Sequence, residues 1–334
     1  PTTFDRSMFA FPLEEMLQSW GVTVEHSHRL LATLVGALTL AILVAAAFSG
    51  GRRALVPACS AALAEVALVG VVILQKTLGG NLQSGLATVL VALSIASLVP
   101  VGRRGLRALA VGAHFAVIGQ GLLGGTRVLE NSPQLAFLHG ACAQIFYALV
   151  AGLLVVSAPR WTGSPRSSGA AAPRRHDLSG LKTLALLSVP LVYGQIVLGA
   201  WLRHSGRSLP LVLHICAALL VVAVVLFLAR ALGRAAGEEP LFGRLRRWLL
   251  AMLTIQVLLG VAATVAILVI GTGFQGRVTF VEAVTATLHV GVGALLLAGC
   301  VGALLWSRRG ATALDPVDVG ALEGLRPSLE GGAG

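Results

Sequence analysis

The sequence predicts an all-α polytopic membrane protein: two pseudo-repeated bundles of transmembrane helices with about nine spans. Three observations predict it. Of 334 residues, 56% are hydrophobic and only 12% are charged, whereas a soluble chain is about a quarter charged. Mean hydropathy is +0.86. Apolar runs near the length of about 20 residues that crosses a bilayer recur along the whole chain. Such a chain cannot cover a water-facing surface with polar groups, so soluble, disordered and disulfide-rich secreted classes are excluded. The net charge of +11 would by itself suggest nucleic acid. The Lys and Arg residues, however, sit in short clusters between apolar runs, the distribution that orients a membrane protein. The expected surroundings are therefore membrane lipid, with no nucleic-acid partner.

In chain order the spans read 28–49, 56–75, 85–101, 106–125, 135–157, 181–202, 210–231, 246–270 and 281–306. Arg103, Arg104 and Arg107 press the third and fourth close together. Residues 1–27 form an outer surface segment, in which Phe9, Phe11, Leu13, Met16, Leu17 and Trp20 offer an apolar face to the membrane. The chain begins at Pro1 without an initiator Met or a signal-peptide pattern, so a trimmed or incomplete start is expected. Residues 28–158 make an N-terminal bundle and 181–309 a C-terminal bundle. Between them, 159–180 is rich in Pro, Ser, Gly, Ala and Arg and reads as a flexible linker. Residues 310–334 read as a disordered tail. With nine spans, one set of loops holds seventeen Lys and Arg, among them Arg52, Arg53, Arg160, Arg174, Arg244 and Arg308. The opposite set holds five: Lys76, Arg127, Arg203, Arg207 and Arg277. This bias puts residues 1–27 outside, and the linker and C-terminus in the cytoplasm.

Cys59, Cys142, Cys216 and Cys300 all fall in predicted spans and none forms a CxxC pair. They read as small apolar packing residues, with no disulfide framework and no zinc site.

Four histidines open four different spans: His28, His139, His214 and His289. The last three are spaced 75 and 75 residues apart, and His28 precedes His139 by 111. The excess of 36 residues is about two helices and a turn, so an extra hairpin is expected within 54–101. Gln120 precedes His139 by 19 residues, as Gln195 precedes His214. Weaker copies of the glutamine segment begin at Gln75 and Gln256. Small residues stand four positions after each histidine, on the same helix face: Ala32, Ala143, Ala218 and Gly293. Such a gap suits a flat macrocycle beside its ligand, and it equally lets helices approach closely.

An ionisable residue inside a span is a functional candidate. Four at equivalent places suggest two pairs, His28 with His139 and His214 with His289, each able to ligate one haem iron. Zinc is disfavoured because neither Cys nor carboxylate accompanies the pairs. Glu25, three residues before His28, shares its helix face. It can move a proton or stabilise positive charge there, or simply interact with the helix dipole. Arg29, Arg127 and Arg203 suit haem propionates or lipid headgroups. His26 is expected to face the loop, His114 to pack between helices, and His176 to lie in the linker. His204 is read as a loop residue or a secondary contact.

Glu25-His-Ser-His28-Arg29-Leu-Leu-Ala, Gln120-Gly-Leu-Leu-Gly-Gly, Leu138-His139-Gly, Gln195-Ile-Val-Leu-Gly-Ala-Trp-Leu-Arg-His-Ser-Gly and Leu288-His289 together resemble the haem A synthase family, over roughly residues 1–306. The Glu-x-x-His-Arg element is the most specific. The resemblance implies two four-helix halves, each with a ligating histidine pair. It implies oxidation of the C8 methyl group of haem O to a formyl group, giving haem A for terminal oxidases. The N-terminal half would hold the substrate haem, with Glu25 as the matched catalytic acid. The C-terminal half would hold a haem b that relays electrons. It further implies a bacterial inner-membrane location, haem sites near the outer face, an electron donor, and haem O synthase, a terminal oxidase or a second copy of the chain as partners. The chain departs from the family in lacking the helix before the Glu-x-x-His helix, in its extra hairpin, and in having no Cys pair within 1–27. Two other readings are a bis-His dihaem cytochrome b that only carries electrons, and a haem carrier or oxidase-assembly protein with one exchangeable haem. Glu25 separates the enzyme from the cytochrome, since electron transfer needs no acid beside one haem.

The orientation is testable on a chain whose native cysteines are replaced by Ala. A Cys at Ser205 should react with an impermeant thiol reagent in intact cells and one at Ser167 should not; the reverse pattern would invert the topology.

Overall fold

The computed structural model of the chain describes residues 19–48, 52–73, 80–98, 105–162, 175–205, 208–237, 239–270 and 279–312, with isolated positions before 19. Most of the surface segment, the linker stretch 163–174, the tail beyond 312, the Gln75 copy and Arg103 and Arg104 lie outside the described residues.

Among the described residues the fold is all-helical, with no strand. The helices are α1 (Trp20–Phe48), α2 (Arg52–Ile73), α3 (Gly80–Leu98), α4 (Gly105–Leu129), α5 (Pro133–Ser157), the short α6 (Pro159–Thr162), α7 (Arg175–Ser205), α8 (Ser208–Ala235), α9 (Pro240–Val265) and α10 (Phe280–Thr312). Seven are long and apolar enough to cross a membrane: α1, α4, α5 and α7 to α10. Helices α2 and α3 stand where two further spans were expected. They are not among the seven, and the apolar stretch in α3 is the shorter Val89–Leu98. Helix α7 starts at Arg175, earlier than the expected span and inside the 159–180 segment.

Local chemistry sets several helix starts. Pro133 and Pro240 open α5 and α9, where the missing N–H costs nothing. The side chains of Ser132, Glu239 and Thr279 accept from the backbone N–H groups of Leu135, Leu241 and Glu282, satisfying donors that a helix start leaves open. Asn131 sits in the left-handed region at φ 47° and closes the tight α4–α5 turn.

The chain divides into two compact units, Pro1–Ser157 and Ala158–Gly334. In unit 1, α1 packs on α2 and α4, α2 on α3, and α4 on α5. In unit 2 the four long helices close a ring: α7 on α8, α8 on α9, α9 on α10, and α10 on α7. Half of the most apolar stretch of α10 is buried, against about a fifth for the other spans, which makes α10 the staff of this unit. Its C-terminal end is clamped to α6 by the Trp161–Trp306 edge contact at 5.1 Å and by Arg309, which bonds the Arg160 carbonyl oxygen.

Outward faces are apolar. On α1 the exposed Leu31, Leu34, Leu38 and Ile42 follow one helical stripe, a surface suited to lipid and not to water. Among the described residues, most of the fully buried large side chains of each unit lie away from the paired histidines. In unit 1 the core comprises Leu43, Ala46, Ala47, Ala54, Ala58, Ala61, Leu98, Ala110 and Ala113. Alanines four and three apart on α2 let backbones approach closely, the packing mode of helices in lipid. In unit 2 Leu181, Ala185, Val225, Leu228, Leu232, Leu249, Leu297, Cys300 and Ala303 do the same.

Ala58 is wholly buried and Val56 faces outward. Ala58→Phe should destabilise unit 1 by about 1–3 kcal/mol through overpacking, while Val56→Phe should stay within about 0.5 kcal/mol, measured by denaturant unfolding in detergent.

Candidate functional site

Each unit brings two histidines face to face. In unit 1, His28 of α1 meets His139 of α5, with ring centres 6.3 Å apart and planes at 85°. In unit 2, His214 of α8 meets His289 of α10 at 6.3 Å and 70°. These are the two pairs that the sequence spacing suggested. His28 is exposed, while the other three are half-buried. Among the described residues no three His, Cys, Asp or Glu side chains gather into a metal-holding group; these imidazoles come in twos.

Three of the four histidines are seated in the same way. A neighbouring helix supplies Gln and, one turn on, Gly: Gln120 and Gly124 for His139, Gln195 and Gly199 for His214, Gln256 and Gly260 for His289. The glycine is needed for clearance. A Cβ at Gly124, Gly199 or Gly260 would lie 3.2, 3.0 and 3.0 Å from the Cε1 of its histidine, tighter than ordinary contact. The glutamine amide supplies polarity. Gln195 donates to the His214 carbonyl oxygen at 2.9 Å and approaches its Nδ1 at 3.1 Å. Oriented to suit its neighbours, the Gln120 amide donates to the His139 carbonyl oxygen at 3.1 Å and Nδ1 at 3.0 Å. The Gln256 nitrogen lies 3.3 Å from His289 Nε2. The buried oxygens of Gln195 and Gln256 and the Nδ1 of His289 have no partner among the described residues.

The sequence marked these glutamines as a repeat without giving them a role. The signal that finds the role is Gln followed four residues later by Gly on the helix preceding each histidine helix. Gly293, expected to make room for a macrocycle, also makes room for this scaffold: a Cβ there would lie 3.1 Å from the Gln256 amide nitrogen. Ala143 and Ala218 are half-buried and Ala32 is exposed.

Charged groups flank the pairs. Glu25 and Arg29 form a 2.7 Å ion pair one turn apart on α1, on either side of His28. Arg203, at the end of α7, bonds the buried Glu282 of α10 at 2.7 Å. That acid was not singled out from the sequence, where the two lie 79 residues apart. Arg127 is half-buried at the end of α4. His204 is exposed. His26 corrects an expectation: it is 4% exposed and lies inside α1, because α1 begins six residues before it and turns it to the face opposite His28. His114 is buried between helices but is not merely apolar packing, since it bonds Glu65.

Compared with protein-family models, curated proteins and solved structures, the chain finds no match.

The glycine seat is testable against an internal control. Gly199→Val should displace the His214 ring, whereas Gly194→Ala, whose Cβ would meet nothing within 4 Å, should leave it in place. Histidine nitrogen shifts in labelled protein report the difference.

Proposed function

We propose that the chain is a haem A synthase-like membrane oxidoreductase, converting the C8 methyl group of haem O to a formyl group, with a haem b in unit 2 passing electrons. The observation that carries this reading is the pair of neighbouring imidazoles in each unit, brought together from two different helices. The ring centres of both pairs stand 6.3 Å apart, close enough for the two imidazoles of a pair to hold one iron between them, as bis-His haem proteins do. The donor set also fits. Each pair offers two imidazoles, and the amides of Gln195 and Gln256 stand beside the rings of His214 and His289 and hold their orientation.

In this reading His28 and His139 hold the substrate haem, and His214 and His289 hold haem b. When bound, the haem irons supply the redox chemistry. The protein's part is positioning and proton handling. The glutamine–glycine seats fix the ring orientation of His139, His214 and His289. Glu25 would hold or accept a proton, or stabilise positive charge, beside His28, and Arg29 holds its carboxylate in place. Arg127 and Arg203 meet propionates; Glu282 engages Arg203 through one nitrogen, leaving other donors of the guanidinium fork. Ala32, Ala143, Ala218 and Gly293 keep the helix faces beside the ligands low.

The finer topology belongs to the same reading. Helices α2 and α3 complete nine spans in two pseudo-repeated bundles, with the haem sites near the outer face of a bacterial inner membrane and the C-terminus in the cytoplasm. An electron donor, haem O synthase and a terminal oxidase are the partners this implies. A bis-His cytochrome would need both pairs but not an acid beside His28, so Glu25 favours the enzyme.

Haem extracted from purified protein should contain haem b together with haem O or haem A, and His214→Ala should lose the haem b signal alone. Glu25→Gln keeps side-chain size and removes the charge. Both haems should stay bound while conversion of haem O falls by about 10²-fold, the scale of losing a positioned acid or base. Wild-type conversion with both haems present would remove Glu25 from the mechanism.

A further inference from the structure

Away from the paired histidines, unit 1 holds a second polar cluster. Glu65 of α2 bonds Ser94 of α3 and His114 of α4, each at 2.7 Å and both to the same carboxylate oxygen, Oε1. His114 is 2% exposed and Ser94 4%. The other ring nitrogen of His114, Nδ1, is buried with no partner among the described residues. Along α4, His114 precedes Gly124, the seat of His139, by ten residues, or about 15 Å of helix rise. The cluster is thus a separate site, deeper in the bundle.

We propose that Glu65, His114 and Ser94 form a proton-binding site inside unit 1. Ser94 donates to Glu65 Oε1, and His114 Nε2 shares the same oxygen, so one proton can sit on either partner of the pair. With a neutral imidazole the cluster carries one negative charge in an apolar bundle, which is costly. One proton brings it to neutrality, forming either an O–H bond on Glu65 or an N–H bond on the open Nδ1 of His114. Nothing else is made or broken, and water supplies the proton. Were the cluster only polar glue between helices, hydroxyls or amides would serve without an ionisable pair of one buried and one half-buried group.

Among the described residues of the helices packed here, no other ionisable group supplies the countercharge at this depth. Helix α3 carries none among its residues. On α2 the others are Cys59, six residues away, and Arg52 and Arg53 at the helix start. On α4, Arg107 lies two turns from His114 and Arg127 at the far end. The ionisable groups of α1 are Glu25, His26, His28 and Arg29, all in its first third. Helix α5 carries His139, Cys142 and Tyr147, none of them charged when His139 is neutral.

The test is a proton-uptake titration of the full chain in nanodiscs between about pH 5 and 9, with infrared detection of the protonated carboxyl group and nitrogen shifts of labelled His114. Wild type should take up one proton more than Glu65→Gln, and the His114 signals should follow the same transition. Ser94→Ala removes one bond to the carboxylate and keeps the pair, so it should shift the midpoint by about tenfold in proton affinity. This variant decides the matter if Glu65→Gln does not fold. Equal proton uptake by wild type and Glu65→Gln, or an unmoved midpoint in Ser94→Ala, overturns the proposal and leaves the cluster a structural clasp.

Discussion

Inside a bilayer there is no water to satisfy a polar group, and each group left open costs several kcal/mol. Helices answer this for the backbone, since every interior N–H finds its carbonyl within the same segment. Side chains need their own answer. Hydroxyls take the cheapest one: Thr33, Ser60, Thr126, Thr264, Thr285 and Thr287 all bond a carbonyl one turn back on their own helix. Groups that cannot reach their own backbone must cross to a neighbour. Gln195 reaches His214, Glu65 reaches Ser94 and His114, and Arg203 reaches Glu282. These crossings pin one helix to another, so the demand for partners settles which polar side chains meet.

Much of this was legible from the chain alone, for a physical reason. Transmembrane helices are near-uniform rods, so equal sequence intervals become equal depths. The 75-residue spacing of His139, His214 and His289 therefore carried geometric content, and the pairs His28–His139 and His214–His289 do meet. Contacts between helices with no fixed interval were not legible. Glu65 and His114 are 49 residues apart, and Arg203 and Glu282 are 79 apart. Their meeting depends on how hairpins dock, which no local pattern encodes. His26 failed for a smaller reason. Two residues apart on a helix point to nearly opposite sides, so where α1 begins decides whether His26 belongs to a loop or a buried face.

The small residues show how one sequence property serves two ends. The alanines of α2, α4 and α1 let backbones close on each other at one end of unit 1. At the other end, Gly124 and its counterparts Gly199 and Gly260 in unit 2 let imidazoles approach a neighbouring backbone. In the first case the space is filled by another helix; in the second it is filled by an imidazole held in one orientation. Neither room for a macrocycle nor close helix approach names this use, and Gly293, which accommodates Gln256, is the clearest instance.

The uneven distribution of the core has a mechanical consequence. In unit 2 packed apolar side chains grip the helices at one end, while at the other the helices are held by cross-helix polar bonds such as Gln195–His214 and Arg203–Glu282. Regions with few buried contacts open at low free energy, while the gripped end opens only with the whole fold. Spreading the histidine end of unit 2 therefore means parting a few polar bonds, whereas spreading the other end means uncovering its packed apolar side chains.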